Sequence, residues 1–159
     1  EIASCLVGSE MCIRDRHPER FIVSYNASGK PSVANAPFFN LSHSNDFVML
    51  AVSDTPVGCD IEKLHKTVLS HHVFHPNELD ALSSLPSGDM QNHEFLRLWT
   101  AKEAFLKAIG TGIDAKASSY DFSKSNTISL DDGSFWKLEH HTVYDFPDYL
   151  SCVCYKCLQ

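Results

Sequence analysis

The chain has 159 residues, enough for about one domain, with 43% apolar residues and a formal net charge of −7. That balance excludes a surface that coats nucleic acid along its length, and no apolar run reaches the ~18–20 residues of a membrane span. The six cysteines, at positions 5, 12, 59, 152, 154 and 157, form no spaced secretory framework and no charged-then-apolar leader opens the chain, so the expectation is a cytoplasmic protein with free thiols.

Residues 5–16, CLVGSEMCIRDR, share no periodic pattern with the residues C-terminal to them. They resemble the translation of a transposon-based sequencing adapter. Residues 1–16 are therefore set aside as non-native, Cys5 and Cys12 leave any metal or disulfide argument, and true sequence upstream of His17 is expected to be missing.

From there RFIVSYNASGKP reads as a strand and a turn, and FFNLSHS and DFVMLAVSD as two strands joined at Ser44-Asn45. VGCDIEKL is a short strand with Val57, Cys59 and Ile61 on one face and Asp60 and Glu62 on the other. Pro76 opens a helix whose apolar side continues through Leu79, Leu82 and Leu85. Asp89 is placed as the cap of a longer helix running to about Ile109 and ended by Gly110 and Gly112. After Ser118 the pattern returns to strands: YDF, TISL, a turn at Asp131-Asp132-Gly133, FWKLEHHTV and YLSCVCYK. Strands, two helices and strands in that order predict an α+β fold with an antiparallel sheet packed on a long helix.

Two features carry candidate chemistry. Asp60 and Glu62 lie two apart on a strand, either a solvated strand end or an oxygen pair suited to Mg²⁺. On the long helix, Leu98, Ala101, Phe105, Ala108 and Ile109 form an apolar stripe, with Thr100, Glu103 and Lys107 on the opposite side. Glu103 and Lys107 are spaced i,i+4, which suits either an exposed helical ion pair or one wall of a site. Lys102 falls inside the apolar arc, where it either snorkels its stem or lines a pocket. The histidines of HHVFH (His71, His72 and His75) and the adjacent His140 and His141 read as exposed polar residues. Cys152 and Cys154 read as buried thiols rather than half a zinc site.

Three motifs stand in fixed order: GKP…FNLSHS (29–44), GCDIEKL (58–64) and LWTAKEAFLKAIGTGI (98–113). Together they resemble a 4′-phosphopantetheinyl transferase of the large, pseudo-dimeric type, with similarity over residues 21–155. The small trimeric branch shares the W-x-x-K-E-A helix, but there the Ser-His motif follows it; the order here favours the large type. The resemblance implies a Mg²⁺-dependent enzyme that moves the phosphopantetheine arm of coenzyme A to a serine of an acyl, peptidyl or aryl carrier protein. It implies Asp60, Glu62 and Glu103 as metal ligands, Glu103 as general base, and Lys107 on the coenzyme diphosphate. Lys30, Asn40, Ser42 and His43 are implied as further coenzyme contacts, with Trp99 and Phe105 as packing. The residue types suit that chemistry: cations for phosphates, carboxylates for the metal. The helix exit GTGIDAKASS, with Lys116, is the implied carrier-docking surface, more apolar than ionic.

The same resemblance implies two halves about a pseudo-twofold, a full-length form that is monomeric, and coenzyme A held between the halves. On that basis residues 17–54 are expected to be the last strands of the N-terminal subdomain and residues 55–159 the C-terminal, metal-binding one. The expectations for this chain are therefore a transferase or, alternatively, a truncated remnant that binds coenzyme A weakly or serves only structurally; a Mg²⁺-dependent phosphohydrolase is a third, less supported reading.

Overall fold

The computed structural model describes residues 22–64, 72–113, 116–143 and 145–158. The adapter-like residues 5–16 and His71 of the histidine cluster lie outside the described residues. β1 (Val23–Tyr25) and β2 (Pro31–Val33) form one small antiparallel pair, and β3 (Phe38–Ser44) and β4 (Phe47–Ser53) form a second. β5 (Val57–Lys63) is followed by helices α1 (Pro76–Ser84) and α2 (Asp89–Ile109), then β6 (Thr127–Ser129), β7 (Phe135–Val143) and β8 (Phe146–Lys156). These last strands and β5 make an antiparallel sheet in the order β5-β8-β7-β6. The α+β class, the antiparallel sheets and the long helix agree with the sequence expectation.

Helix α2 packs on β5 and β8. Leu98, Ala101, Ala104 and Phe105 are fully buried in one cluster with Phe122, Trp136, Leu138, Cys152 and Cys154. Phe105 makes edge contacts with Tyr120, Phe122 and Trp136. Trp99 is partly buried against the same core, so both aromatics of the helix motif are packing residues. At Gly58 helix and strand backbones come into direct contact. A Cβ there would collide with the Ala104 carbonyl oxygen and the Ala108 amide nitrogen and lie 2.9 Å from Ala108 Cα. Three small residues, Gly58, Ala104 and Ala108, let the α2 backbone come down directly onto β5.

Several local expectations are corrected. Gly88, not Asp89, occupies the cap position of α2 and makes no side-chain cap bond; Asp89 is the first helical residue, where its charge still faces the positive helix end. Residues 120–122 form no strand; they come after a short 3₁₀ turn, Ala117–Ser119, and send Tyr120 and Phe122 onto Phe105. Thr100 is not on a solvated face: it is fully buried and its hydroxyl donates to the Leu96 carbonyl at 2.9 Å. His75 is a helix cap, not a solvated side chain. Its Nδ1 accepts the Asn77 N–H while Glu78 reaches back to the His75 N–H at 2.8 Å, a capping box. His140 is half-buried, and burial pushes its imidazole down to about 4. The thiols agree with expectation: Cys59, Cys152 and Cys154 are free and buried. Among the described residues no helix is long and apolar enough to cross a membrane.

The β3–β4 pair inverts the usual alternation. Asn40, Ser42 and Ser44 are buried against β5, while Leu41, Val48 and Leu50 are at least half exposed on the other side. Alternate N–H groups of a strand point to the same edge, and those of Cys59, Ile61 and Lys63 point towards β3. They are accepted by Asn40 Oδ1 at 2.8 Å, Ser42 Oγ at 3.4 Å and Ser44 Oγ at 3.1 Å. β3 and β5 are thus joined by a row of side-chain oxygens rather than by a backbone ladder.

Candidate functional site

The Gly58 contact sets α2 close enough to β5 for side chains of the two elements to meet. Asp60 is 2% exposed. Its Oδ1 receives the Lys107 ammonium at 2.6 Å and the Ser42 hydroxyl at 2.8 Å. Ser42 Oγ also accepts from Lys107 Nζ at 3.2 Å, so one strand hydroxyl, one strand carboxylate and one helix ammonium form a closed triangle. Two residues along β5, Glu62 Oε2 accepts from Ser44 Oγ at 3.2 Å.

The electrostatics arise from this crowding. Burial raises the Asp60 carboxyl above its ordinary range, with Lys107 and then Ser42 opposing. Burial is also the main cause that raises Glu103, reinforced by the charge of Asp60; Lys107 opposes and Glu62 adds a smaller push upward. Glu103 therefore senses both strand carboxylates from across the helix–strand gap. The expected i,i+4 partner is engaged elsewhere, since the Lys107 ammonium is closed on Asp60 and Ser42.

A stability consequence carries a definite sign. Because the folded-state value of Glu103 is raised, the native state keeps a proton that the unfolded chain has lost. Stability contributed at this position is then present at low pH and falls as pH rises from the ordinary glutamate range through the raised value. Glu103→Gln removes the charge, so its Tm is expected to exceed that of the parent at pH 8. The difference should shrink as thermal melts are taken down to the ordinary glutamate range; a gap that grows on acidification would contradict the raised value.

The fit of this site to a divalent cation is supported by one observation. Asp60 Oδ2 is buried and has no hydrogen-bond partner among the described residues, although Oδ1 of the same carboxylate has two. An orphaned carboxylate oxygen beside two more carboxylates is the donor chemistry of a Mg²⁺ site. As the side chains stand, no three His, Cys, Asp or Glu among the described residues converge into a ready cage.

The remaining candidates lie further out. The Asn40 side chain is committed to the Cys59 N–H. His43 is exposed, on the side of β3 opposite Asn40 and Ser42. Lys30 donates to the carbonyls of Val57 and Ala108, both at 2.9 Å, and burial lowers its ammonium below the ordinary lysine range. Its neighbours Asn26 and Ser28 donate to the Gly110 and Thr111 carbonyls. The β1–β2 turn therefore caps the C-terminus of α2, with a cation placed where the helix dipole favours one. The structure brings Ser42, Asp60 and Lys107 together, with Glu62 and Glu103 beside them, and holds Lys30 and His43 apart from that group.

Sequence reasoning missed two residues. Ser44 continues the period-2 row of Asn40 and Ser42. Glu78 is the buried partner of Lys102, at 2.9 Å, and both side chains are at most 1% exposed. The Lys102 ammonium is completed by the carbonyls of Ala117 and Tyr120, and Glu78 Oε1 accepts the Phe122 N–H at 2.8 Å. Lys102 thus ties α2 to the start of α1 and to the segment after α2. The only advance signal was the capping box His75…Glu78.

Residues 56–154 match the family model described as the 4′-phosphopantetheinyl transferase superfamily. Among curated proteins, the chain is similar to 4′-phosphopantetheinyl transferase gsp of Aneurinibacillus migulanus, 37% identical over 70% of this chain and 48% of that protein. It is similar to 4′-phosphopantetheinyl transferase psf-1 of Bacillus pumilus, 41% identical over 64% of this chain and 45% of that protein. It is also similar to 4′-phosphopantetheinyl transferase ffp of Bacillus subtilis, 33% identical over 79% of this chain and 59% of that protein. The chain spans about half the length of the curated relatives it matches.

Proposed function

The chain belongs to the 4′-phosphopantetheinyl transferase superfamily, and on that premise we propose that it moves the 4′-phosphopantetheine group of coenzyme A to a serine of a carrier protein. The observation that supports the reading most is the convergence of Asp60, Ser42 and Lys107, with Glu103 held at a raised value beside them. Asp60, Glu62 and Glu103 are the residues that would hold Mg²⁺. Neutralisation of the diphosphate as its P–O bond breaks is the chemistry a bound Mg²⁺ supplies. Lys107 is the ammonium that would meet the diphosphate, and His43 is the residue of the Asn40-Ser42-His43 element left exposed to meet a coenzyme phosphate, while Lys30, held on the Val57 and Ala108 carbonyls, would act by fixing the end of the long helix. The exposed His43 is free to face a phosphate, whereas Asn40 acts through the strand it fixes.

The transfer balances simply. The carrier serine oxygen bonds to the phosphorus that bears the pantetheine arm, the bond from that phosphorus to 3′,5′-ADP breaks, and the serine proton goes to Glu103. A carboxylate raised by burial and by neighbouring charge is the better base near neutral pH. The carrier meets the exit of α2, where Ile113 is exposed.

The test is incubation of the chain with coenzyme A, Mg²⁺ and an apo-carrier, with mass spectrometry of the carrier. The expected result is a carrier heavier by one phosphopantetheine, and no gain with Asp60→Asn. A folded chain that leaves the carrier unmodified would overturn the reading; equal modification by Asp60→Asn would overturn the metal assignment.

A further inference from the structure

We propose that Lys107 and a divalent cation are rival counter-ions for Asp60, so that cation binding is what frees Lys107 for the phosphate side of the site. The proposal rests on the reading of Asp60, Glu62 and Glu103 as cation ligands.

Asp60 is almost wholly buried, and a carboxylate in that position requires a positive partner. Lys107 already fills that need at 2.6 Å, and fills it well, because Ser42 orients the same oxygen from the side. The two oxygens of Asp60 are therefore unequal: Oδ1 is saturated by donors and Oδ2 is bare. A cation approaching the three carboxylates meets an ammonium whose charge is already spent on one of them. Two like charges within a few ångströms repel, most strongly where water is excluded.

The geometry also shows how the conflict is relieved. The Lys107 side chain is 28% exposed whereas Asp60 is 3%. Among the described residues its ammonium is held by Asp60 and Ser42. The contrast is with Lys102, locked by a carboxylate and two carbonyls in the core. One lysine of the helix is immobile and the other has a partly solvated path outwards. Displaced from Asp60, Lys107 becomes an uncompensated cation at the mouth of the site, so an anion and the metal should bind synergistically.

The experiment is titration of the full chain with Mn²⁺, followed by electron paramagnetic resonance at pH 8. Lys107→Met is expected to bind Mn²⁺ at least ~10-fold more tightly than the parent. Lys107→Gln, which keeps a donor to Asp60 without the charge, should show the same direction and guards against a folding defect, monitored by circular dichroism. Added inorganic pyrophosphate should tighten Mn²⁺ binding in the parent and do so less in Lys107→Met. If the parent binds Mn²⁺ and both lysine variants bind it equally or more weakly, rivalry is overturned while the cation reading stands. If no folded form binds Mn²⁺, both fall together.

Discussion

Replacing Lys102 by methionine is expected to cost about 3–5 kcal/mol of folding free energy, the range for breaking a buried ion pair from one side. The loss does not come from the pair's own attraction, which is largely offset by desolvation. It comes from leaving Glu78, 0% exposed, with a buried charge that, among the described residues, two backbone N–H groups support. Burial lowers the Lys102 ammonium below its ordinary range, with Glu78 opposing, so desolvation outweighs the attraction of its partner. Urea denaturation followed by tryptophan fluorescence would measure the loss. The double variant Lys102→Met with Glu78→Gln should lose clearly less than Lys102→Met alone, because no charge is stranded, although the single amide oxygen keeps only one of the two N–H groups, of His75 and Phe122, that the two carboxylate oxygens accept. Equal losses in the two would show that the cost is one of packing rather than of the stranded charge. Lys102 is thus a structural residue that anchors the helix on the core side, next to Glu103, the base proposed above.

Gly58→Ala is expected to be comparably severe, by a different route. Inserting one methyl group into a well-packed contact typically costs about 1–3 kcal/mol. Here the obstacles are backbone atoms of Ala104 and Ala108, which cannot rotate away, so a loss of about 3 kcal/mol or more is expected. The functional loss should exceed the stability loss. Asp60 stands on β5 and Lys107 on α2, and their 2.6 Å contact exists only while the two backbones touch. Mn²⁺ titration and carrier modification by Gly58→Ala, at a temperature where it remains folded, would separate the two effects. Near-parental transfer with a large drop in Tm would show that the site does not depend on this approach.

The sequence made the strands, the long helix and the carboxylates legible because each leaves a periodic trace: alternation in β3 to β5, Leu-Ala-Phe spacing in α2, and a D-x-E pair in a strand. The Asp89 cap was misplaced because glycine in the preceding position leaves no side chain to mark a cap. Residues 120–122 were misread as a strand because two aromatics around one polar residue fit a strand and a packed loop equally. Lys102 could not be placed, since its partners Glu78, Ala117 and Tyr120 come from both flanking segments and nothing local announces them. The carbonyl partners of Lys30 were equally invisible, because backbone acceptors have no identity in a sequence. What the helix wheel missed was that α2 is enclosed on several sides, which turned Thr100 inward; Lys102 it already placed in the apolar arc.

The row formed by Asn40, Ser42 and Ser44 has a consequence for how the chain is aligned with itself. Strands are usually sorted by apolar and polar sides, but here the apolar side of β3 faces out and the polar side is buried. A slip of β3 by one residue would present Leu41 and His43 to the edge of β5. The N–H groups of Cys59, Ile61 and Lys63 would lose their acceptors, and Asp60 would lose the hydroxyl that orients it. The same three oxygens therefore act as a ruler. They measure off the one alignment in which Asp60 meets Lys107, so the chemistry and the threading of this domain are specified by the same atoms.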